Sequence, residues 1–298
     1  MLLGLVGHPI AASLSPVMHE AALRHRSLMG SYARFDTTDP AELTAIFACL
    51  RRGELDGLNV TVPHKLAAYA ACDRLSPVAT EVGAVNTLIR GHDGALVGWN
   101  SDLPGLVAAL YAAWSEPVDG VALVVGAGGA APAAMLAARE VGAREVRVWN
   151  RTAARAAALV ERLGFGVAVA DPIVAASGAS LVIQASSHGM GLTGDALAAA
   201  EHEAARFVER TARDAHVLDL IYRPRLTAWV RAATQLGRTS ADGLEMLVQQ
   251  AALSFELWTR ARTEVLATSR AASDLLDVMR SAACASAAAW SQTDAINR

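Results

Sequence analysis

Side chains able to do chemistry gather in four short clusters. They are Ser13-Leu14-Ser15-Pro16, Asn59-Val60-Thr61-Val62-Pro63-His64-Lys65, Gly83-Ala84-Val85-Asn86-Thr87 and Asn100-Ser101-Asp102. Each sets hydroxyls, amides or a charge among apolar neighbours. Such a set suits a small ligand with several hydroxyl groups. Lys65 and Asp102 add an ammonium and a carboxylate to that set. Taken singly, each residue has a plainer use. Ser13 or Ser15 caps the helix that starts near Pro16, Asn86 makes a turn, Lys65 lies on the surface, and Asp102 caps the helix after it.

A second pattern belongs to a cofactor. Val121–Val125 is an apolar run, and Gly126-Ala127-Gly128-Gly129-Ala130-Ala131 follows it. In G-x-G-x-x-A the first glycine allows a tight turn, the second lets a pyrophosphate approach the backbone, and the alanine keeps a helix close to the strand. The free amides at the helix start then hold the phosphates. The next strand, Val146–Trp149, leads into Asn150-Arg151-Thr152, with Arg155 one helical turn further. NAD sites place Asp or Glu there. A guanidinium instead suits the 2′-phosphate of NADP.

These residues need a frame. Leu2–Val6, Leu58–Val62, Thr87–Ile89, Val121–Val125, Glu145–Trp149, Ser180–Gln184 and His216–Leu220 read as strands. Pro16–His25, Pro40–Arg51, Pro104–Trp114, Ala130–Arg139, Thr152–Leu163 and Leu244–Thr263 read as helices. Alternation of this kind predicts an α/β protein with parallel sheets, and the polar clusters fall near strand ends, where open sheets bind ligands. From about Ser269 the chain is rich in Ala and Ser without a clear period. It is expected to be loosely ordered, or a helix of unassigned partner.

Composition narrows the function. The chain has 298 residues with 26 basic and 29 acidic side chains, a formal net charge of −3. No global field favours nucleic acid or an anionic membrane. No apolar run reaches the ~20 residues of a membrane span, and the first residues lack the marks of a signal peptide. Cys49, Cys72 and Cys284 are scattered and odd in number, which suits a reducing cytoplasm. No histidine pattern suggests a metal site.

The ordered motifs resemble the shikimate dehydrogenase family from about residue 4 to residue 266. Ser13-Leu14-Ser15-Pro16 is similar to its Ser-x-Ser-Pro, Asn59–Lys65 to Asn-Val-Thr-x-Pro-x-Lys, and Gly83–Thr87 to Gly-Ala-x-Asn-Thr. Gly126–Ala130 and Asn150-Arg151-Thr152 match its cofactor motifs. Tyr222 with Pro224 and Thr227, and Gly243–Gln250, resemble its C-terminal motifs. The resemblance implies an N-terminal open α/β substrate domain (1–102 with 243–268) and a C-terminal Rossmann-type NADP-binding domain (103–242), leaving 269–298 as a tail. It implies reversible NADPH-dependent reduction of 3-dehydroshikimate to shikimate, in chorismate and aromatic amino acid biosynthesis. Lys65 and Asp102 are then catalytic. Ser13, Ser15 and Tyr222 bind the substrate carboxylate, and Asn59, Thr61, Asn86 and Gln250 its ring and hydroxyls. Gly126, Ala127, Gly128, Gly129, Ala130, Asn150, Arg151, Thr152 and Arg155 bind the cofactor, Ser186, Ser187 and Ile221 are further candidates for contact with it, and Gly243 and Met246 line its nicotinamide side. The implied state is a monomer or homodimer, without nucleic acid, membrane or metal.

Two departures stand out. Leu103 replaces a glycine after the Asn-Ser-Asp run, and Gln184-Ala185-Ser186-Ser187 replaces Asn-x-Thr-Ser. Rival readings are a quinate or dual quinate/shikimate dehydrogenase, and a non-catalytic module that senses NADP or a metabolite. Quinate-preferring relatives often carry Thr at the position of Ser15, which favours shikimate.

Overall fold

The computed structural model describes residues 1–260 and 271–296, with side chains described as far as residue 288. The chain divides into two compact units, Met1–Gly105 with Leu247–Arg298, and Leu106–Met246.

The first unit runs β1 (Leu2–Gly7), α1 (Ser15–His25), β2 (Ser31–Asp36), α2 (Pro40–Arg52), β3 (Gly57–Val60), α3 (Lys65–Ala71), β4 (Arg74–Leu75), α4 (Pro77–Val82), β5 (Thr87–Arg90), β6 (Leu96–Trp99) and the start of α5 (Asp102–Ala113). Strand β1 is buried along all but its first residue, as an apolar run covered on both faces should be. Helix α2 shows local chemistry setting its ends: the Asp39 side chain accepts from Ala41 N–H, Pro40 opens the first turn, and Gly53 closes the last at φ 79°.

The strand order is β2-β1-β3-β5-β6-β4. The sheet is mixed, which corrects the expectation of parallel strands throughout. β5 runs antiparallel to both β3 and β6; it joins β6 through the turn at Gly91–Gly94, which leaves no room for a crossover helix between those two. Asn86 therefore precedes a strand rather than following one. The reversal brings the start of β5 beside the ends of β3 and β6: Asn59 pairs with Thr87, and Thr87 with Trp99. The polar clusters thus share one edge of the sheet. Leu43, Phe47, Leu50, Leu58, Leu88 and Leu96 lie among the core beneath.

The second unit continues with β7 (Val121–Val125), α6 (Ala131–Glu140), β8 (Glu145–Trp149), α7 (Ala153–Leu163), β9 (Val167–Ala168), α8 (Pro172–Ala176), β10 (Ala179–Gln184), α9 (Gly194–Val208), β11 (His216–Asp219), α10 (Ala228–Gln235) and β12 (Thr239–Ala241). Its sheet has the order β12-β11-β10-β7-β8-β9, with every pair parallel. Numbered from β7, this is the order 3-2-1-4-5-6 of a doubly wound dinucleotide fold, with the switch point between β7 and β10.

Helix α11 (Leu244–Arg260) follows; the expected continuation to Thr263 lies outside the described residues. The described part of the tail forms α12 (Ser273–Ile296), which packs on α1. Leu275, Met279 and Ala283 are fully buried, four residues apart on one helical face. Asp274 meets His25 at 2.8 Å and Arg26 at 3.3 Å. Among the described residues, no helix is long and apolar enough to cross a membrane.

Candidate active site and cofactor loop

Lys65 opens α3, and the preceding His64 fixes the turn by donating from Nε2 to Thr37 O at 2.7 Å. Its Nζ donates to Asp102 Oδ2 at 2.6 Å, with only 13% and 8% of the two side chains exposed. Lys65 is the only lysine in the sequence; every other basic residue counted with it is an arginine. Arginine stays charged in proteins, whereas an ammonium can release its proton.

Asp102 is free for this contact because Asn100 performs the cap. Asn100 Oδ1 accepts from the N–H groups of Asp102 and Leu103 at 3.0 and 3.2 Å, and its Nδ2 donates to Ala84 O. The other oxygen of Asp102 accepts from Asn86 Nδ2 at 2.8 Å. Asn86 also donates to Ser101 Oγ at 2.9 Å, and its Oδ1 accepts from Ser101 N–H at 2.8 Å. One amide thus fixes both the carboxylate and the backbone before it.

Asn59 lies deeper. Its Oδ1 accepts from Tyr32 OH at 2.8 Å, while Nδ2 faces Asn86 O, Thr87 Oγ1 and Ser254 Oγ at 3.2, 3.3 and 3.1 Å. Both ends of this amide are spent on the protein, so it supports the site from below. Thr61 sits at the rim, and its hydroxyl has no protein partner among the described residues. Gln250 on α11 donates to Leu247 O at 2.8 Å and accepts from Ser101 Oγ at 3.5 Å.

Ser13 and Ser15 form a hydroxyl pair, Oγ to Oγ at 3.2 Å, and Ser13 Oγ also takes Ser15 N–H. Ser15 is the first residue of α1, and the N-cap position is Leu14, so neither serine is a conventional cap. The Tyr32 phenol lies beside Ser15, and burial holds its pKa well above the usual value against the pull of that hydroxyl and of Arg34. Thr87 and Ser101, from two of the four clusters, belong to this network, and Tyr32 and Ser254 join it from outside them. Tyr32 carried a faint signal, an aromatic on an alternating run; Ser254 carried none beyond its place one helical turn after Gln250.

In the second unit, Gly126 has φ 111°, and a Cβ there would lie 2.9 Å from Ser186 N, so only glycine fits between β7 and β10. A Cβ on Gly128 would meet nothing within 4 Å. The backbone there faces open space. Asn150 Oδ1 accepts from Ala127 N–H at 3.2 Å, and Nδ2 donates to Thr152 O at 2.9 Å, tying the glycine loop to the end of β8. Arg151, Thr152 and Arg155 are exposed, and neither guanidinium has a protein partner among the described residues. The donor set fits a dinucleotide with an added phosphate.

The departure at Gln184 has a structural use. The side chain is fully buried at the end of β10. Its Oε1 accepts from Ser186 N–H at 2.6 Å, and Nε2 donates to Ser186 O and His188 O at 3.1 Å each. One residue shapes the Ser186–His188 loop. Opposite it on β11 lies Asp219. Asp219 Oδ1 accepts from Ile221 N–H at 3.0 Å, while Oδ2 is buried without a partner. Burial raises this carboxyl to about 7, the Asp242 carboxylate adding to the rise while Ile221 N–H and Thr227 oppose it. Gly243 N–H donates to Ile221 O at 3.1 Å, and a Cβ on Gly243 would fall 2.1 Å from Leu220 O. Tyr222 is half-buried in this unit and Met246 is buried. Among the described residues no three His, Cys, Asp or Glu side chains gather as a metal ion requires.

Comparison with known proteins points to one family. Residues 5–88 match the family model for the shikimate dehydrogenase substrate binding domain, and residues 243–259 match that for the shikimate 5′-dehydrogenase C-terminal domain. Shikimate dehydrogenase (NADP(+)) of Methylobacterium radiotolerans is 42% identical over 268 residues, 88% of this chain and 92% of that one. The crystal structure of shikimate 5-dehydrogenase from Thermus thermophilus in complex with NADP(H) and shikimate superposes with a TM-score of 0.76 at 38% identity, over 95% of this chain and 99% of that one. Quinate dehydrogenase from Corynebacterium glutamicum in complex with NAD gives a TM-score of 0.77 at 29% identity, over 95% of this chain and 98% of that one.

Proposed function

The chain belongs to the shikimate dehydrogenase family, and we propose that Lys65 and Asp102 are the pair with which it works. The reaction is the reversible reduction of 3-dehydroshikimate to shikimate with NADPH, a step toward chorismate and the aromatic amino acids. The first unit holds the ring substrate in this reading, and the second holds NADP.

NADPH, when bound, supplies the hydride. The protein's part is to orient and to manage the proton. Lys65 Nζ donates to the ketone oxygen as it gains charge, and takes the proton back in the oxidising direction. Asp102 holds that ammonium through Oδ2 while Asn86 holds Oδ1, so the pair is fixed before substrate arrives. Ser13 and Ser15 offer hydroxyls to the carboxylate, with Tyr222 assigned to the same task by its motif. Thr61 and Gln250 face the ring hydroxyls. On the cofactor, Gly126–Ala130 cradle the pyrophosphate, and Arg151 with Arg155 takes the 2′-phosphate.

The observation that carries this reading is the retention of one lysine in a chain otherwise furnished with arginine, tied at 2.6 Å to a nearly buried aspartate. A binding module would not need an ionisable amine there. Cytoplasm is the compartment we propose, supported by three cysteines that are all free thiols; a monomer or homodimer suffices for the chemistry.

The test is NADPH formation with NADP or NAD, offered shikimate and then quinate. Turnover with NADP and shikimate alone supports the assignment of Ser15 and Arg151. Comparable turnover with quinate or NAD moves the chain to the quinate branch. Binding of NADPH with no turnover on any pair returns it to the sensing module.

A further inference from the structure

Strand β2 turns one face toward the loop that carries the two serines. Residues 32, 34 and 36 alternate onto that face, and each meets the loop. Tyr32 lies beside Ser15. Arg34 donates from a terminal guanidinium nitrogen to Ser13 O at 3.0 Å. Asp36 meets His8 Nδ1 at 2.7 Å and accepts from Ile10 N–H at 3.4 Å. These three contacts brace the segment from His8 to Ser15 along its length.

Arg34 differs from the other two in what it leaves unused. The Tyr32 hydroxyl is spent on Asn59, and the Asp36 carboxylate is taken up by His8 Nδ1 and Ile10 N–H. Arg34 gives its hydrogen bond to a neutral carbonyl, and among the described residues no carboxylate pairs with it. A guanidinium has five N–H donors. The group is exposed, so its field reaches the serine hydroxyls through a partly solvated path that salt can screen.

We propose that Arg34 is a specificity-determining residue for the substrate's carboxylate: its uncompensated charge beside Ser13 favours an anionic ring acid over the neutral ester or amide of the same ring. This rests on the reading that Ser13 and Ser15 receive the carboxylate. The serines alone are neutral and can hydrogen-bond an ester carbonyl as well; the charge is what separates the two.

The experiment compares shikimate with its methyl ester on the full-length enzyme, at low and high ionic strength. Arg34→Gln is expected to raise the KM for shikimate about twofold to fivefold at low salt, the span that exposed charge pairs carry, and less at high salt. Charge reversal in Arg34→Glu should raise it further, and Arg34→Lys should retain most of the wild-type value. kcat and the KM for the ester should stay near wild type in Arg34→Gln. Equal losses for acid and ester would make Arg34 a brace for the loop alone and overturn the proposal, as would an unchanged KM for shikimate in both Arg34→Gln and Arg34→Glu. Melting curves of each variant show whether the loop still folds. Ser13→Ala and Ser15→Ala are run beside them: if neither alters the KM for shikimate, the placement of the carboxylate is what fails.

Discussion

Lys65 Nζ and Asp102 Oδ2 lie 2.6 Å apart, and Asp102 itself is held by Asn86. The amine is therefore positioned by a carboxylate that cannot swing away. Removing a fixed donor of this kind typically costs ~2.7–4 kcal/mol of transition-state stabilisation. Lys65→Ala should lower kcat by about 100- to 1,000-fold and change the KM for shikimate much less. Lys65→Arg keeps the charge and loses the readily released proton, so it should not restore turnover. Steady-state kinetics on both variants checks this; unchanged kcat in Lys65→Ala removes the residue from the chemistry.

Arg151 is exposed and without a protein partner among the described residues. If it binds the 2′-phosphate, Arg151→Ala loses a charged hydrogen bond, worth ~1.5–3 kcal/mol. The Kd for NADPH should rise about 10- to 100-fold, and that for NADH should hardly change. Fluorescence titration of the two cofactors reads this without turnover. Equal weakening of both would assign Arg151 to the loop rather than the phosphate.

Asp219 makes stability depend on pH with a definite sign. Its carboxyl is raised from 3.8 to about 7, chiefly by burial. Between these values the unfolded chain has lost the proton and the folded chain keeps it, so stability falls as pH rises through that window. Asp219→Asn retains an acceptor for Ile221 N–H and cannot ionise. Its melting temperature should vary less between pH 5 and pH 8 than that of the wild type, judged at ~1 pH unit steps, with the advantage at the alkaline end. Superimposable profiles would show that Asp219 does not titrate there; the neighbouring Asp242, also raised by burial, is unchanged in the variant.

His19 is fully buried, with both ring nitrogens unpartnered, and it stacks on Tyr32 at 4.5 Å and 4°. Burial pushes its pKa from 6.5 to about 3. The unfolded chain binds a proton below 6.5 that the folded chain refuses, so stability is lost as pH falls through this range. His19→Phe keeps a stacking ring and removes two buried polar atoms. It should stabilise the protein by about 1–3 kcal/mol, with a larger gain at pH 5 than at pH 8. Denaturant unfolding at both values decides; a loss at both would mean that the ring nitrogens find partners through water.

Much of this site could be read before the fold was known, because its residues come in short runs tied to strand ends. The Gly126–Ala130 turn and the Asn59–Lys65 run announce themselves by residue type alone. The mixed sheet escaped because β5 and β6 are only four residues long, and a buried short strand gives no direction. The Asp93-Gly94 turn between them held the hint. Strand β2 escaped because Ser31–Asp36 has few apolar residues, and its contribution is made by polar tips. The use of Gln184 depends on a buried pocket at a strand end, which sequence cannot locate. Helix α12 stood between loose order and a helix of unassigned partner because what fixes its Leu275, Met279 and Ala283 stripe is α1, over 240 residues away in the chain.

The solitary lysine also makes the protein chemically addressable. Aldehydes and activated esters meet a single ε-amine in this chain, and it lies inside the site. Under the role proposed for Lys65, amine coupling at this side chain inhibits and shikimate protects it, with the Met1 α-amine as the other amine such reagents meet. Attachment that spares activity should go through the exposed Cys284 thiol instead.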